Sequence, residues 1–252
     1  MSLISNPVQW ASRRLAHKTP INPVRSKLTR PIASISFDDI PETAATTGAP
    51  ILEHAGVRGT FYICGGHAGG DFEGRPQFDA SHLKALHRAG HEIGCHSYDH
   101  PDVARLSDAE RLKDLEANVT FLRDTLGDVQ FSSFAYPYGA VSFGAKLFYS
   151  RQFLTCRGVY RGVNAGLMDF SDLRGVGLEV RQHDMSRVAD HIAEAKETNG
   201  WLIFFSHDVS NDPSPYGCRP KDLEAVIEAL KAADIEILPV KAGAARALFG
   251  EG

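Results

Sequence analysis

Two hydrophobic periods alternate along the chain, and the switches between them mark its elements. Ile32-Ala33-Ser34-Ile35-Ser36-Phe37 is a short apolar run carrying two small hydroxyls, which reads as a buried strand. Asp38-Asp39 follows it, and Pro41 then suits the first turn of a helix ending near His54. Gly59 to Ile63 is a second strand. Residues 80–89 read as a helix closed by Gly90, and His91 to Cys95 as a third strand. Ser107-Asp108-Ala109-Glu110 is a capping box that opens a helix to about Leu126. Phe131 to Ala135 is a fourth strand, Ser142 to Phe153 a helix, and Thr155-Cys156-Arg157 a short strand. The glycine-rich stretch from Gly158 to Gly177 has no clear period. Beyond it, residues 186–198 read as helix, 201–206 as strand, 220–233 as helix, 235–239 as strand and 241–249 as helix.

Strand and helix therefore alternate with short connections, the pattern of a parallel sheet covered by helices. Such sheets carry their working residues at the carboxyl ends of the strands. Asp38-Asp39, His96, Tyr136 to Gly139, Arg157 and His207 all fall at such ends. Residues 1–30 form an arm before the first strand, and residues 31–252 form one body. Asn6-Pro7 suits the start of a short helix through Arg13-Arg14, with Trp10 and Leu15 on its apolar side. The arm either packs on the body, hangs free of it, or contacts a second subunit in a homo-oligomer.

Composition narrows the class. With 252 residues and 43% hydrophobic composition, the chain can bury one large core. A formal charge of -4 gives no reason to expect a nucleic-acid or membrane partner. The four cysteines, Cys64, Cys95, Cys156 and Cys218, make no CxxC pair and read as small buried hydrophobes. No long apolar stretch opens the chain, so the expected location is cytoplasmic. Eleven histidines are many for this length, and several cluster between His82 and His100.

Chemistry concentrates in four places. Asp38-Asp39 either caps the following helix or divides labour, one carboxylate binding a metal while its neighbour takes a proton from water. His96-Ser97-Tyr98-Asp99-His100 would point both imidazoles the same way if the stretch makes a helical turn, and two imidazoles plus a carboxylate form a catalytic zinc set. Tyr136-Pro137-Tyr138-Gly139 is either an ordinary loop or a rigid one whose backbone N–H groups face a substrate. His207, after Phe204-Phe205-Ser206, is either a core-edge residue or a general acid.

Together these motifs resemble the NodB-homology polysaccharide deacetylases, carbohydrate esterase family 4, from about Pro31 to about Ala245. Ser36-Phe37-Asp38-Asp39 matches the first motif, His96 to His100 the second, Tyr136 to Gly139 the third, and Phe205-Ser206-His207 the fifth. The resemblance implies a distorted (β/α) barrel of about seven parallel strands, the NodB-like glycoside hydrolase/deacetylase fold, over residues 31–252. It implies Asp39, His96 and His100 as ligands of a divalent metal, expected to be zinc. It makes Asp38 the base that deprotonates a metal-activated water, the Tyr138 N–H an oxyanion donor, and His207 the acid that protonates the leaving group.

The departures are specific. Ala135 stands where the third motif carries an arginine that orients the catalytic aspartate. The fourth, aspartate-tryptophan motif has no match, since the only tryptophans are Trp10 and Trp201. Ile40 replaces a usual glycine and Cys95 a frequent asparagine. Arg157, at the end of the next strand, is the expected substitute for the missing arginine, ahead of Arg161, Arg174 and Arg181. The implied activity is removal of acetyl groups from N-acetylated or O-acetylated saccharides. The alternatives are an amidohydrolase acting on a small non-peptide C–N bond, and a metal-binding domain without activity.

Overall fold

The computed structural model describes residues 15–181 and 185–250. The expected helix from Asn6 to Arg14, with Trp10, lies outside the described residues. The first body strand, β1 (Ile32–Asp39), is buried along its whole length, as an apolar run paired on both edges must be. Further strands follow in chain order: β2 (Thr60–Ile63), β3 (Glu92–Cys95), β4 (Ser133–Ala135), β5 (Thr155–Arg157), β6 (Val176–Gly177), β7 (Trp201–Ser206) and β8 (Glu236–Ile237). Seven of them lie side by side in the order 6-7-1-2-3-4-5, and every pairing is parallel.

One edge of β1 is shared. Its Ile32 and Ala33 pair with β8, while Ser36 to Asp39 pair with β2. The sheet curls until its ends nearly meet. The Leu173 N–H donates to the Cys156 carbonyl at 2.8 Å and the Gly158 N–H to the Leu173 carbonyl at 2.9 Å, so the chain leading into β6 runs along β5. The result is the distorted barrel. Trp201, fully buried at the start of β7, donates its indole N–H to Ser34 Oγ at 2.9 Å, which pins β7 to β1 from the side-chain side as well.

Helices cover the outside: α1 (Ala49–His54), α2 (Ala80–Arg88), α3 (Asp108–Leu126), α4 (Phe143–Tyr149), α5 (Met185–Thr198), α6 (Pro220–Ala232) and α7 (Val240–Phe249). The capping box at Ser107 and Glu110 forms as expected. Three elements differ from the sequence reading. A wide π turn over Ala44–Gly48 precedes α1, and there Gly48 packs so tightly that a Cβ would sit 3.1 Å from both Phe37 and Val209 side chains. Helix α4 stops at Tyr149 rather than Phe153. Strand β8 is short because Pro239, which has no N–H to pair, caps α7.

The glycine-rich stretch holds a second device. Leu167–Asp169 pairs antiparallel with Pro23–Arg25, so residues 15–30 are strapped across the body. Lys146, fully buried, donates to the Ala16 and Thr19 carbonyls at 2.8 Å and to Asp169 at 2.5 Å. All four cysteines are unpaired and buried.

Candidate active site

Strand ends deliver the site. Asp38 and Asp39 close β1, His96 follows β3, Tyr136 to Gly139 follow β4, Arg157 closes β5, and His207 follows β7. Asp38, Asp39, His96, His100, Tyr138 and His207 line one cavity of about 340 Å³, at the small end of the range of about 300–1,000 Å³ for ligand pockets. The backbone there is unusual. Of eight described non-glycine residues with positive φ, five sit in the loops that carry the candidate residues, Asp39, Ile40, Ser97, His100 and Tyr138, and a sixth, Glu73, lines the cavity. Ile40 at φ 54 is the costliest, because a β-branched side chain crowds its own backbone in that region. A glycine would hold this turn without strain.

The histidine pair corrects one expectation. Residues 96–100 do not form a helical turn; they are an irregular loop in which Ser97 at φ 69 and His100 at φ 52 turn the chain back on itself. The two rings still converge, with centroids 4.9 Å apart. The spacing of four is therefore met by left-handed residues and not by helix geometry.

Asp38 and Asp39 face different partners. Arg157 Nη2 lies 2.5 Å from both oxygens of Asp38, and both side chains are almost wholly buried. Burial alone would push the Asp38 carboxyl up. The Arg157 guanidinium, with His96 and His207, outweighs that and holds it below the usual carboxylate range. Arg157 and Ala135 are register partners on adjacent strands, so their side chains share one face of the sheet. The guanidinium thus stands one strand over from Ala135, at the same level of the sheet. Its face also lies over the Phe205 ring at 4.6 Å. Of the other candidate arginines, Arg174 lies over Tyr160, Arg181 binds Glu179, and both Arg181 and Arg161 line the same cavity.

Asp39 faces the imidazoles. Its Oδ1 is 3.6 Å from His96 Nε2 and 3.3 Å from His100 Nε2. His96 Nδ1 donates to the Ala135 carbonyl at 2.8 Å, which leaves Nε2 as the ring nitrogen that faces Asp39. Burial depresses His100 to about 3, so its ring is neutral. Two ring nitrogens and a carboxylate oxygen thus converge at distances close to the tetrahedral edge, about 3.3 Å for ligands about 2.0–2.1 Å from zinc. The three residues are buried and their ligand atoms lie within 4.8 Å of one another, so the donor set fits a divalent cation.

Tyr138, at φ 57, is the first residue with an N–H in a one-turn helix opened by Pro137, where that N–H has no intrahelical partner. Its ring is exposed and packs edge-on against His100 at 4.3 Å. His207 Nε2 is 3.8 Å from Asp39 Oδ2, and its Nδ1 is 3.2 Å from the Tyr216 carbonyl. Sequence reasoning did not single out Tyr216, Glu179, Cys64 or His67. Cys64 donates to the His96 carbonyl at 3.1 Å and, with His67 and Asp39, forms a second group of close ligand atoms. Cys64 and His67 follow a predicted strand, whereas Glu179 and Tyr216 lie between predicted elements, where the sequence carries no signal for them.

A family model described as polysaccharide deacetylase matches residues 25–152, half of the chain. A chitin deacetylase of Colletotrichum lindemuthianum is 30% identical over 112 residues, covering 44% of this chain and 42% of that protein. The matches to curated relatives span only 17% to 42% of those proteins' own lengths. Among solved structures, a putative polysaccharide deacetylase from Mycobacterium smegmatis superposes with a TM-score of 0.66 at 17% identity, covering 91% of this chain and 94% of the other. A family 4 acetyl xylan esterase from Clostridium thermocellum, solved in complex with a cobalt ion, gives 0.59 at 21% identity over 84% and 89%. The family model ends before Arg157 and His207, so beyond residue 152 the likeness is one of fold.

Proposed function

The chain belongs to the polysaccharide deacetylase family, and on that premise we propose that it hydrolyses acetyl groups from an acetylated saccharide. The observation that carries this reading is the division of the aspartate pair. Asp38 is clamped by a buried guanidinium while its neighbour faces two imidazole nitrogens. A protein that only bound a cation would have no use for the first arrangement.

Asp39, His96 and His100 would hold the divalent cation, with zinc the first expectation from this nitrogen-rich donor set. When bound, such a cation polarises the acyl carbonyl and acidifies water. Asp38 then accepts the proton of the attacking water. Arg157 keeps that carboxylate ionised and fixes its rotamer, so the base is ready before substrate arrives. The Tyr138 N–H, without an intrahelical partner, would serve as a donor to the developing oxyanion. His207 Nε2 faces the same cavity and delivers a proton to the departing nitrogen or oxygen. The size of the cavity favours one sugar unit with its acyl group at the reacting centre.

Acetate release from an N-acetylated chito-oligosaccharide, measured with and without a chelator, tests the reading. Release that a chelator stops and added zinc restores is the expected result. No release from chito-oligosaccharides, acetylated xylan or peptidoglycan fragments would overturn it.

A further inference from the structure

An acid–base histidine is ordinarily aimed by a carboxylate, but His207 is aimed by a backbone carbonyl. Its Nδ1 lies 3.2 Å from the Tyr216 oxygen. A carbonyl only accepts, so Nδ1 carries the hydrogen and Nε2 is left to the cavity. The aim of the ring is then only as good as the position of the loop between Ser206 and Cys218.

Two clamps hold that loop. The first is Asp208, fully buried, which accepts from Ser214 N at 2.9 Å and Ser214 Oγ at 2.5 Å and pairs with Arg75 at 3.0 Å. The second comes from the chain after β6. The Val180 N–H donates to the Gly217 carbonyl at 2.9 Å. Two residues from Glu179, the Arg181 guanidinium lies over the Tyr216 ring at 4.2 Å. Arg181 Nε donates to Glu179 Oε2 at 2.7 Å, and that carboxylate is 2% exposed at the cavity wall. A buried carboxylate is costly unless paired, and here its partner is the guanidinium that covers Tyr216. Arg181 itself is nearly half exposed, and among the described residues the Glu179 carboxylate is the charged group that orders this long side chain flat on the ring.

We propose that Glu179 and Arg181 are positioning residues for His207. Glu179 orients Arg181, Arg181 holds Tyr216, and the Tyr216 carbonyl fixes the tautomer and direction of the imidazole. The proposal rests on the reading of His207 as the acid that protonates the leaving group.

The test compares two leaving groups. An amide nitrogen must be protonated to depart, whereas para-nitrophenolate leaves without a proton. The readout is the ratio of kcat on an N-acetylated chito-oligosaccharide to kcat on para-nitrophenyl acetate. This ratio does not depend on the fraction of enzyme that folds. As a reference, His207→Ala is expected to lower it about 100-fold, the scale of general acid catalysis. Arg181→Ala and Glu179→Gln are each expected to lower it about tenfold, with KM for the saccharide within about twofold. An unchanged ratio in both variants, an equal loss on both substrates, or a change confined to KM would overturn the proposal. If His207→Ala itself leaves the ratio unchanged, the role of His207 fails and the proposal falls with it, while acetate release still supports the hydrolase reading. If the parent hydrolyses neither substrate, both readings fail.

Discussion

The two ends of the sheet hold similar side chains in opposite conditions. At the amino end, His91 is 3% exposed; its Nδ1 accepts from the Gly59 N–H at 3.0 Å and its Nε2 lies 3.2 Å from Glu53. Beside it, Glu92 accepts from Thr60, Ser132, Ser133 and the Lys241 N–H. Each of these groups has a complementary partner. At the carboxyl end, His96 and His100 turn ring nitrogens toward one Asp39 oxygen beyond normal hydrogen-bond length, and His100 Nδ1 is buried without a partner. The backbone beneath is left-handed at five non-glycine positions. Buried polar groups that satisfy one another close the bottom of a barrel. Groups that the fold forces to face one another unsatisfied are held for something the fold does not itself contain.

That contrast can be broken from either end. The largest effect is expected at the proposed cation donors. Asp39→Ala and His96→Ala should each remove most bound metal and nearly all turnover, because three protein ligands leave little redundancy. Elemental analysis checks this, and full zinc occupancy in both variants would end the ligand assignment.

A smaller loss is expected from the residue beside the donors. Arg157→Ala should leave metal content intact and cut kcat about 100-fold. With the guanidinium gone, burial is less opposed and the Asp38 carboxyl rises. The base is active when ionised, so the acid limb of the pH–rate profile should move to higher pH. Because Ala135 is the register partner of Arg157, adding Ala135→Arg should recover part of the loss. Unchanged turnover in Arg157→Ala would remove it from the mechanism.

The smallest effect sharpens the comparison from the amino end. His91→Gln should cost about 1–3 kcal/mol of stability by loosening matched buried hydrogen bonds, with little change in kcat. Burial, outweighing Glu53, holds His91 below its ordinary value of 6.5. As pH falls through 6.5 the unfolded chain takes up a proton that the folded ring resists. The stabilisation is therefore complete above that pH and lost progressively below it. Thermal unfolding followed against pH should show a steeper acid decline in the parent than in His91→Gln; parallel curves would refute this.

Much of the site was legible because its residues stand directly after short apolar runs. Asp38-Asp39, His96, Tyr136 and His207 each follow a recognisable strand, and a parallel sheet brings such positions to one end whatever the helices between them do. Arg157 was legible for the same reason, once Ala135 showed that a cation was missing. Glu179 and Tyr216 were not. They lie outside regular elements, and their partners were chosen by how two loops pack. The two histidines do converge, but through left-handed residues and not the helical turn that their spacing also allows, since spacing does not distinguish the two.

The sequence by itself determined where seven of the eight body strands fall, the end of the sheet where chemistry collects, and most of the side chains that arrive there. These follow from periodicity and chain order, which are local. Only the tertiary structure decided which neighbour each side chain meets: that Arg157 reaches across from the adjacent strand to Asp38, that the Ala135 carbonyl fixes the tautomer of His96, and that His207 rests on the Tyr216 carbonyl. Those partners are 119, 39 and 9 residues apart. Contacts at such separations depend on the curl of the whole sheet and the packing of its loops, quantities no short stretch of sequence contains.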